Sequence, residues 1–164
     1  MNTDFLEILK RLSQADVSYV VIGGVAATVY GCTLVTQDID VCCEFTPQNL
    51  LRLQDALADL HPVHRMTPNR MPLKLTPDTA ASLKNLYLDT DLGTLDCIGF
   101  VEGIGGFENV IKVSRKIVVD KLTLNILTID ALIQAKEAMR RPRDQQAIVE
   151  LKAIREQLNK EGNS

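Results

Sequence analysis

The sequence predicts an α+β fold in which helices flank a mixed β-sheet. Two kinds of segment alternate along the 164 residues: short runs rich in β-branched residues, typical of strands, and longer stretches with apolar residues at helical spacing. The final stretch carries helical patterns alone. We therefore expect a core at residues 1–127 and a helical segment at 128–164 that packs on it, together forming one compact domain.

The first part of the chain predicts a helix, a strand and a glycine turn. Apolar residues at helical spacing predict the helix from Asp4 to Gln14. The run from Tyr19 to Ile22 is typical of a buried strand. Gly23 and Gly24 follow, where the chain has to turn without side chains in the way. A short helix from Val25 to Tyr30 is expected next.

A second strand carries two acids. Asp38, Ile39, Asp40 and Val41 alternate acidic and apolar side chains. Because successive side chains of a strand point to opposite faces, Asp38 and Asp40 project from the same face. Neighbouring carboxylates repel each other, and a bound hard cation such as Mg²⁺ is the simplest reason to place them together. We therefore expect a metal site beside the glycine turn.

The middle of the chain predicts one more helix and two hairpins. Thr46 and Pro47 predict the N-cap and first position of a helix that ends near Leu60. Residues 86–100 predict a β-hairpin with glycine in its turn. Residues 117–127 predict a second hairpin.

Two stretches have weaker patterns. Residues 65–82 are rich in Pro, Thr and Asn, while Met71, Leu73 and Leu75 alternate as in a short strand. As a segment beside a rigid site, this stretch is a candidate for substrate specificity.

Residues 102–107 are rich in glycine but lack the spacing of a phosphate-binding loop, so we expect a flexible connection.

Asp96 stands among apolar residues on the second strand of the first hairpin. An acid inside an apolar strand is costly unless it is paired or binds a metal. The alternative is an aspartate at a strand end, solvated or hydrogen-bonded to the turn. Given Asp38 and Asp40, we expect Asp96 to be the third carboxylate of the metal site.

The C-terminal part predicts two helices with a charged junction. Thr128 predicts the cap of a helix from Ile129 to about Arg140, which Pro142 ends. A last helix is expected from about Asp144 to Asn159. The simplest interpretation of the charged residues near the junction is a solvated surface. These residues are Lys136, Arg140, Arg141, Arg143 and Asp144.

Composition excludes several classes of protein. The net charge of −3 argues against a general nucleic-acid-binding surface. No apolar run approaches the roughly 20 residues that cross a bilayer, so we expect no membrane partner and a cytoplasmic protein. The four cysteines have no metal-binding spacing, and we interpret them as small buried residues in a reducing compartment.

The pattern of Gly23 and Gly24 followed by Thr36, Asp38 and Asp40 resembles the signature of the nucleotidyltransferase superfamily of the polymerase β type. Within it, the chain is similar to the small bacterial AbiEii and MenT toxin families and to minimal nucleotidyltransferases. The resemblance implies a nucleotidyltransferase core with C-terminal helices. It also implies a metal-dependent enzyme that transfers a nucleoside monophosphate from a nucleoside triphosphate to a hydroxyl group.

The resemblance further implies roles for single residues, because Lys136 and Asp144 also match a pattern of AbiEii-like families. Asp38, Asp40 and Asp96 would be catalytic and bind Mg²⁺ or Mn²⁺, with Asp96 a candidate to accept the proton of the acceptor hydroxyl. Lys136 would be catalytic and contact the phosphates. The expected nucleotide-binding residues are Gly23, Gly24, Thr36, Lys136 and Asp144.

The partners remain open at this point. The acceptor is expected to be RNA such as tRNA, a protein or a small molecule, and an antitoxin or other cognate protein would fit a toxin–antitoxin or phage-defence system. Leu34 stands where many relatives carry an arginine. The alternatives are a weaker activity, replacement of that arginine by Arg140 or Arg143, or another substrate. A non-catalytic nucleotide- or partner-binding module with the same fold, or a plain structural domain, would also fit the sequence.

Overall fold

Nine strands are present in the computed structural model, which describes residues 2–162. They are β1 (Tyr19–Ile22), β2 (Asp38–Cys43), β3 (Val63–His64), β4 (Asn85–Thr90), β5 (Gly93–Ile98), β6 (Phe100–Val101), β7 (Gly105–Gly106), β8 (Ser114–Val119) and β9 (Leu122–Leu127). Seven of them form one sheet in the order β3-β4-β5-β2-β1-β9-β8, while β6 and β7 form a separate hairpin. Both predicted hairpins are present.

The sheet is mixed, as the sequence predicts. At its centre β2 pairs parallel with β5 and antiparallel with β1, and β1 in turn pairs parallel with β9. The remaining neighbours are antiparallel. Strand β2 therefore lies between the strand that precedes the glycine turn and the strand that carries Asp96.

Seven α-helices surround the sheet in the described residues. They are α1 (Thr3–Gln14), α2 (Gly23–Tyr30), α3 (Pro47–Leu57), α4 (Pro77–Ala81), α5 (Phe107–Lys112), α6 (Ile129–Met139) and α7 (Gln145–Gly162). The predicted caps are confirmed, because the side chains of Thr46 and Thr128 each accept a hydrogen bond from the backbone N–H three residues further on. The C-terminal helices α6 and α7 contact each other and α2.

One hydrophobic core joins the helices to the sheet. Its large side chains with almost no exposed surface come from α1, α3 and the strands: Ile8, Leu9, Leu12, Ile39, Leu50, Leu53, Leu57, Leu86, Leu88, Leu95, Leu124 and Ile126. The cysteines are buried as predicted, and none of them forms a disulfide: Cys32, Cys42, Cys43 and Cys97. Within residues 2–162, no helix combines the length and apolar composition that a bilayer crossing requires.

The glycine-rich residues 102–107 are not the flexible connection that the sequence suggests. They include β7 and the start of α5, and they pack against α6. Gly103 has a φ of +81°, and a Cβ there would lie 2.7 Å from the Cβ of Ala138. Gln134 donates a hydrogen bond to the Gly103 carbonyl at 2.6 Å. The prediction was wrong because these contacts come from a helix distant in sequence.

Residues 65–82 do not contain the strand suggested by their alternating apolar residues. Apart from one isolated bridge between Val63 and Pro72, this stretch forms turns and the short helix α4. Backbone hydrogen bonds hold the loop against β3, including one from the His64 N–H to the Met71 carbonyl at 2.8 Å. The loop thus lies at the β3 edge of the sheet.

Asn49 is a buried polar residue that holds together the ends of two central strands. Its side-chain oxygen accepts a hydrogen bond from the Ser18 N–H at 2.7 Å, and its amide donates to the carbonyls of Ser18 at 3.0 Å and Glu44 at 2.8 Å. Ser18 precedes β1 and Glu44 follows β2. The Ser18 carbonyl also accepts a hydrogen bond from the Glu44 N–H at 3.3 Å, so it is the Ser18 N–H and the Glu44 carbonyl that depend on Asn49 of α3.

We expect Asn49→Ala to lower the free energy of unfolding by about 1–3 kcal/mol, because it leaves the Ser18 N–H and the Glu44 carbonyl without partners. Urea unfolding followed by circular dichroism measures the change. Gln48→Ala, at the exposed neighbouring position of α3, is the matched control and should change the stability by less than about 0.5 kcal/mol. Equal effects of the two substitutions would contradict the role assigned to Asn49.

Candidate active site

The diglycine turn lies directly against the acids of β2. Gly23 has a φ of +66°, and a Cβ at this position would stand 2.5 Å from Oδ2 of Asp40. A Cβ on Gly24 would stand 2.8 Å from Oγ1 of Thr36. Both positions require glycine for this close approach, and Gly23 also for its left-handed backbone conformation. The structure thus brings these four predicted site residues into contact.

Thr36 contributes to the shape of the site through its hydroxyl, which donates a hydrogen bond to the backbone carbonyl of Asp38 at 3.0 Å. This bond fastens the loop to the beginning of β2. Helix α2 begins at Gly23, and no side chain caps its N-terminus. The end of a helix with uncapped N–H groups therefore faces the same region as the acids.

The three predicted carboxylates are close in the sheet. Asp40 on β2 is the register partner of Asp96 on β5, and Asp38 lies two residues earlier on the same strand. Burial, followed by the charges of Asp96 and Asp38, raises the pKa of Asp40 to about 6. The side chains of Asp38 and Asp40 make no hydrogen bond or ion pair with any described residue. Their repulsion is therefore not relieved by a direct partner.

Asp96 differs from the other two acids because it is paired with Arg65. A terminal nitrogen of Arg65 donates a short hydrogen bond to Oδ1 of Asp96. Burial raises the pKa of Asp96 above its ordinary value, and the hydrogen bond and charge of Arg65 offset part of that rise. Within residues 2–162, no three His, Cys, Asp or Glu side chains are arranged to hold one metal ion. In this conformation the three acids do not form a single ligand set.

Arg65 is the site residue that sequence reasoning missed. It follows the two-residue strand β3, which is too short to leave a periodic pattern, and it begins the stretch with the weakest predictions. Since β3 is separated from β2 by two other strands, no local signal in the sequence connects Arg65 with the acids. The basic character of Arg65 alone would not have identified it as a site residue.

Lys136 and Asp144 form a buried ion pair. Their relative exposures are only 7% and 6%. The Lys136 Nζ lies 3.5 Å from Oδ1 of Asp144, and Arg141 Nε donates to Oδ2 at 2.5 Å. Burial alone would raise the pKa of Asp144, but the hydrogen bond from Arg141 and the two positive charges lower it below 3.8. The interpretation of a solvated junction is thus wrong for Lys136 and Asp144, although Arg140 and Arg143 are exposed.

Two clefts meet at the acids of β2. The first has a volume of about 370 Å³ and the second about 400 Å³. The residues that line both include Gly23, Asp38, Asp40, Lys136, Arg141 and Arg143. Gly24, Leu34, Thr36 and Asp144 line only the first cleft, and Asp96 lines only the second. All predicted site residues therefore face one of two clefts that share the acid pair.

Leu34 lines the first cleft together with the basic residues Lys136, Arg141 and Arg143. Arg141 and Arg143 line both clefts, whereas Arg140 lines neither. Arg141 is bound to Asp144, while Arg143 has no hydrogen bond or ion pair with any described residue. Of the two arginines expected to replace the one missing at Leu34, only Arg143 therefore has a suitable position.

We expect Asp144→Asn to lower the free energy of unfolding at pH 7 by about 3 kcal/mol, because Lys136 would stay buried without a counter-charge. The pKa of Asp144 is lower in the folded protein, so its contribution is present above the ordinary pKa and is lost as the pH falls through the folded value. The difference from wild type should therefore shrink below about pH 4.

Urea unfolding at several pH values measures this dependence. Asp55→Asn on the exposed face of α3 is the control, since Asp55 has no ion-pair partner among the described residues. A loss of stability in Asp144→Asn that stays constant down to pH 3 would contradict the electrostatic explanation.

Comparison with known proteins identifies the fold. No protein-family model matches the sequence, and no curated protein matches it. Several solved structures do match. One is the lincosamide antibiotic adenylyltransferase LnuA with lincomycin bound, at 18% identity and a TM-score of 0.63, over 94% of this chain and 98% of that chain.

Two further structures have the same architecture. The antibiotic-resistance factor ANT(2'')-Ia matches at 14% identity and a TM-score of 0.59, over 95% of this chain and 83% of its own. A proposed nucleotidyltransferase from Thermotoga maritima matches at 14% identity and a TM-score of 0.55, over 95% and 91%. The likeness shows that the chain has the nucleotidyltransferase fold, which confirms the predicted fold class.

Proposed function

We propose that this protein is a nucleotidyltransferase, an enzyme that transfers a nucleoside monophosphate from a nucleoside triphosphate to a hydroxyl group. One observation carries the proposal: the unpaired acids Asp38 and Asp40 stand where two clefts meet, between the diglycine turn and the basic side chains of Lys136 and Arg143. Carboxylates that can bind a metal ion and basic side chains that can bind phosphates thus lie at the same site.

The acids of β2 fit a divalent cation, Mg²⁺ or Mn²⁺. They have no direct partner, and burial, followed by the charges of Asp96 and Asp38, raises the pKa of Asp40. Hard cations take such carboxylate oxygens as ligands. Asp38 and Asp40 would hold the ion, with Asp96 as a further ligand. When bound, such a cation neutralises charge on the phosphates and lowers the pKa of an attacking hydroxyl.

The first cleft would take the triphosphate. Gly24 lets phosphate approach the backbone at the N-terminus of α2, where N–H groups and the helix dipole favour an anion. Lys136, held in place by Asp144, and Arg143, which has no other partner, would add positive charge from the opposite wall. Thr36 would support the site by fastening the loop to Asp38.

The second cleft would take the acceptor. It contains Asp96 and an apolar wall that includes Tyr87, Ile98, Phe100 and Met139. The acceptor oxygen would form a bond to the α-phosphorus while the bond from this phosphorus to pyrophosphate breaks, and the hydroxyl proton would pass to Asp96. The protein thereby contributes mainly position and charge to the reaction.

A small molecule is the acceptor that we propose first. A cleft of about 400 Å³ suits a compact molecule, and two of the similar structures contain one: lincomycin in LnuA and adenylyl-2''-tobramycin in ANT(2'')-Ia. The adenylyl group in both descriptions makes ATP the first donor to test. Transfer to tRNA or protein, an antitoxin partner as in AbiEii- and MenT-like systems, and a cytoplasmic location remain predictions.

The non-catalytic binding module is the second candidate, because one observation favours it. Arg65 engages one oxygen of Asp96, and no three acids among the described residues are arranged to hold one metal ion in this conformation. A protein that keeps this arrangement would bind a nucleotide through Asp38, Asp40 and the first cleft without transferring it.

A transfer assay separates the two candidates. The protein is incubated with Mg²⁺ or Mn²⁺, each α-labelled nucleoside triphosphate, and acceptors that include a lincosamide, an aminoglycoside, bulk tRNA and the protein itself. We expect label transfer that falls at least about 100-fold in Asp40→Asn. Metal-dependent nucleotide binding without transfer would support the binding module, and the absence of both would contradict the proposed function.

We expect Arg143→Gln to raise the Kd for the nucleoside triphosphate about tenfold, since it removes one charged contact with the phosphates. Equilibrium titration with a fluorescent nucleotide measures the Kd in the presence of Mn²⁺. Arg140→Gln is the matched control, because Arg140 is exposed nearby but lines neither cleft. Equal effects of the two substitutions would show that only the general charge matters and would contradict the place given to Arg143.

A further inference from the structure

Arg65 links the loop at the edge of the sheet with the third acid of the site. Its hydrogen bond to Asp96 reaches across from the end of β3, and its guanidinium lies 5.7 Å from the centre of the Tyr87 ring on β4. The hydrogen bond to Asp96 is the largest influence on Arg65, and it raises the pKa of this guanidinium further above its ordinary value. Arg65 therefore keeps a positive charge beside the carboxylate of Asp96.

The bonding of Arg65 is incomplete. Its Nε is buried and has no hydrogen-bond partner, and it lies 4.0 Å from Oδ1 of Asp89. A buried N–H without a partner costs free energy, so this arginine is not held by a fully satisfied network. Asp89, on the neighbouring strand β4, is a second carboxylate close to the same guanidinium. It already accepts hydrogen bonds from Thr94 at 2.7 Å and from Arg70, so Arg65 would share this carboxylate with them.

The three acids of the site are consequently unequal. Asp38 and Asp40 have no cation bound to them, whereas an oxygen of Asp96 is covered by Arg65. A divalent cation that uses Asp96 as a ligand has to compete with the guanidinium for this carboxylate.

We propose that Arg65 is a positioning residue that controls the access of the divalent cation to Asp96. While Arg65 holds Asp96, the cation has only the two acids of β2. Movement of Arg65 toward Asp89 frees Asp96 and completes the ligand set. This inference rests on the proposed function, because it assumes that a divalent cation binds at Asp38 and Asp40.

The test is the affinity for Mn²⁺ without nucleotide, measured by electron paramagnetic resonance of the free ion. We expect Arg65→Met to bind Mn²⁺ at least about tenfold more tightly than wild type, since the competing charge is gone. Arg65→Lys keeps the charge but not the forked geometry, and it should lie between the two. Arg140→Met is the matched control: Arg140 is exposed, lines neither cleft and is bound to neither Asp89 nor Asp96, so little change is expected.

A double-mutant cycle shows whether the effect acts through Asp96. The gain from Arg65→Met should disappear when Asp96→Asn is also present. A gain that persists in this background would mean that Arg65 acts only by its charge at a distance, and this would overturn the proposal. Unchanged or weaker Mn²⁺ binding in Arg65→Met would also overturn it, since Arg65 would then be a support for Asp96.

The failure of this inference differs from the failure of the proposed function. If wild type binds Mn²⁺ through Asp40, and Arg65→Met binds it no better, only the role of Arg65 is wrong. If neither protein binds Mn²⁺, both the role of Arg65 and the metal-dependent function are wrong. Thermal unfolding of each variant establishes that it is folded, and Arg65→Lys provides the comparison should Arg65→Met be unstable.

Discussion

The site depends on the parallel pairing of β2 with β5. This pairing places Asp96 beside Asp40, while the antiparallel pairing of β2 with β1 places the end of β1 and the diglycine turn on the other side of the same acid. Because side chains alternate along a strand, a register shift of one residue would turn Asp96 to the opposite face. The register of the central strands therefore decides whether the acids meet at all.

The charged side chains near these strands leave the two acids of β2 without a counter-charge. Lys136 and Arg141 neutralise Asp144, and Arg65 covers Asp96, but nothing in the described chain is bound to Asp38 or Asp40. Burial in the sheet keeps these two carboxylates from full solvation and raises the pKa of Asp40. The resulting centre favours a ligand that brings positive charge, next to a helix end that favours phosphate.

The similar structures identify the fold that carries these acids and basic residues, but they do not identify the reaction or its substrates. At 18% identity or less, the shared fold tells us where a ligand site is expected, but the substrates follow from the side chains in the clefts. In this chain the second cleft combines an acid with apolar and aromatic walls, and its loop at residues 65–76 supplies Arg65. That loop therefore contributes directly to the site of this protein.

The sequence by itself determined the features that depend on neighbouring residues. The paired acids of β2, the pair of glycines that follows β1 and the caps at Thr46 and Thr128 follow from local periodicity and local hydrogen bonding. Only the tertiary structure decided that Arg65 holds Asp96, that Lys136 is buried against Asp144, and that residues 102–107 pack on α6. These contacts join elements far apart in the chain, and their free energy depends on burial and geometry that no short stretch of sequence contains.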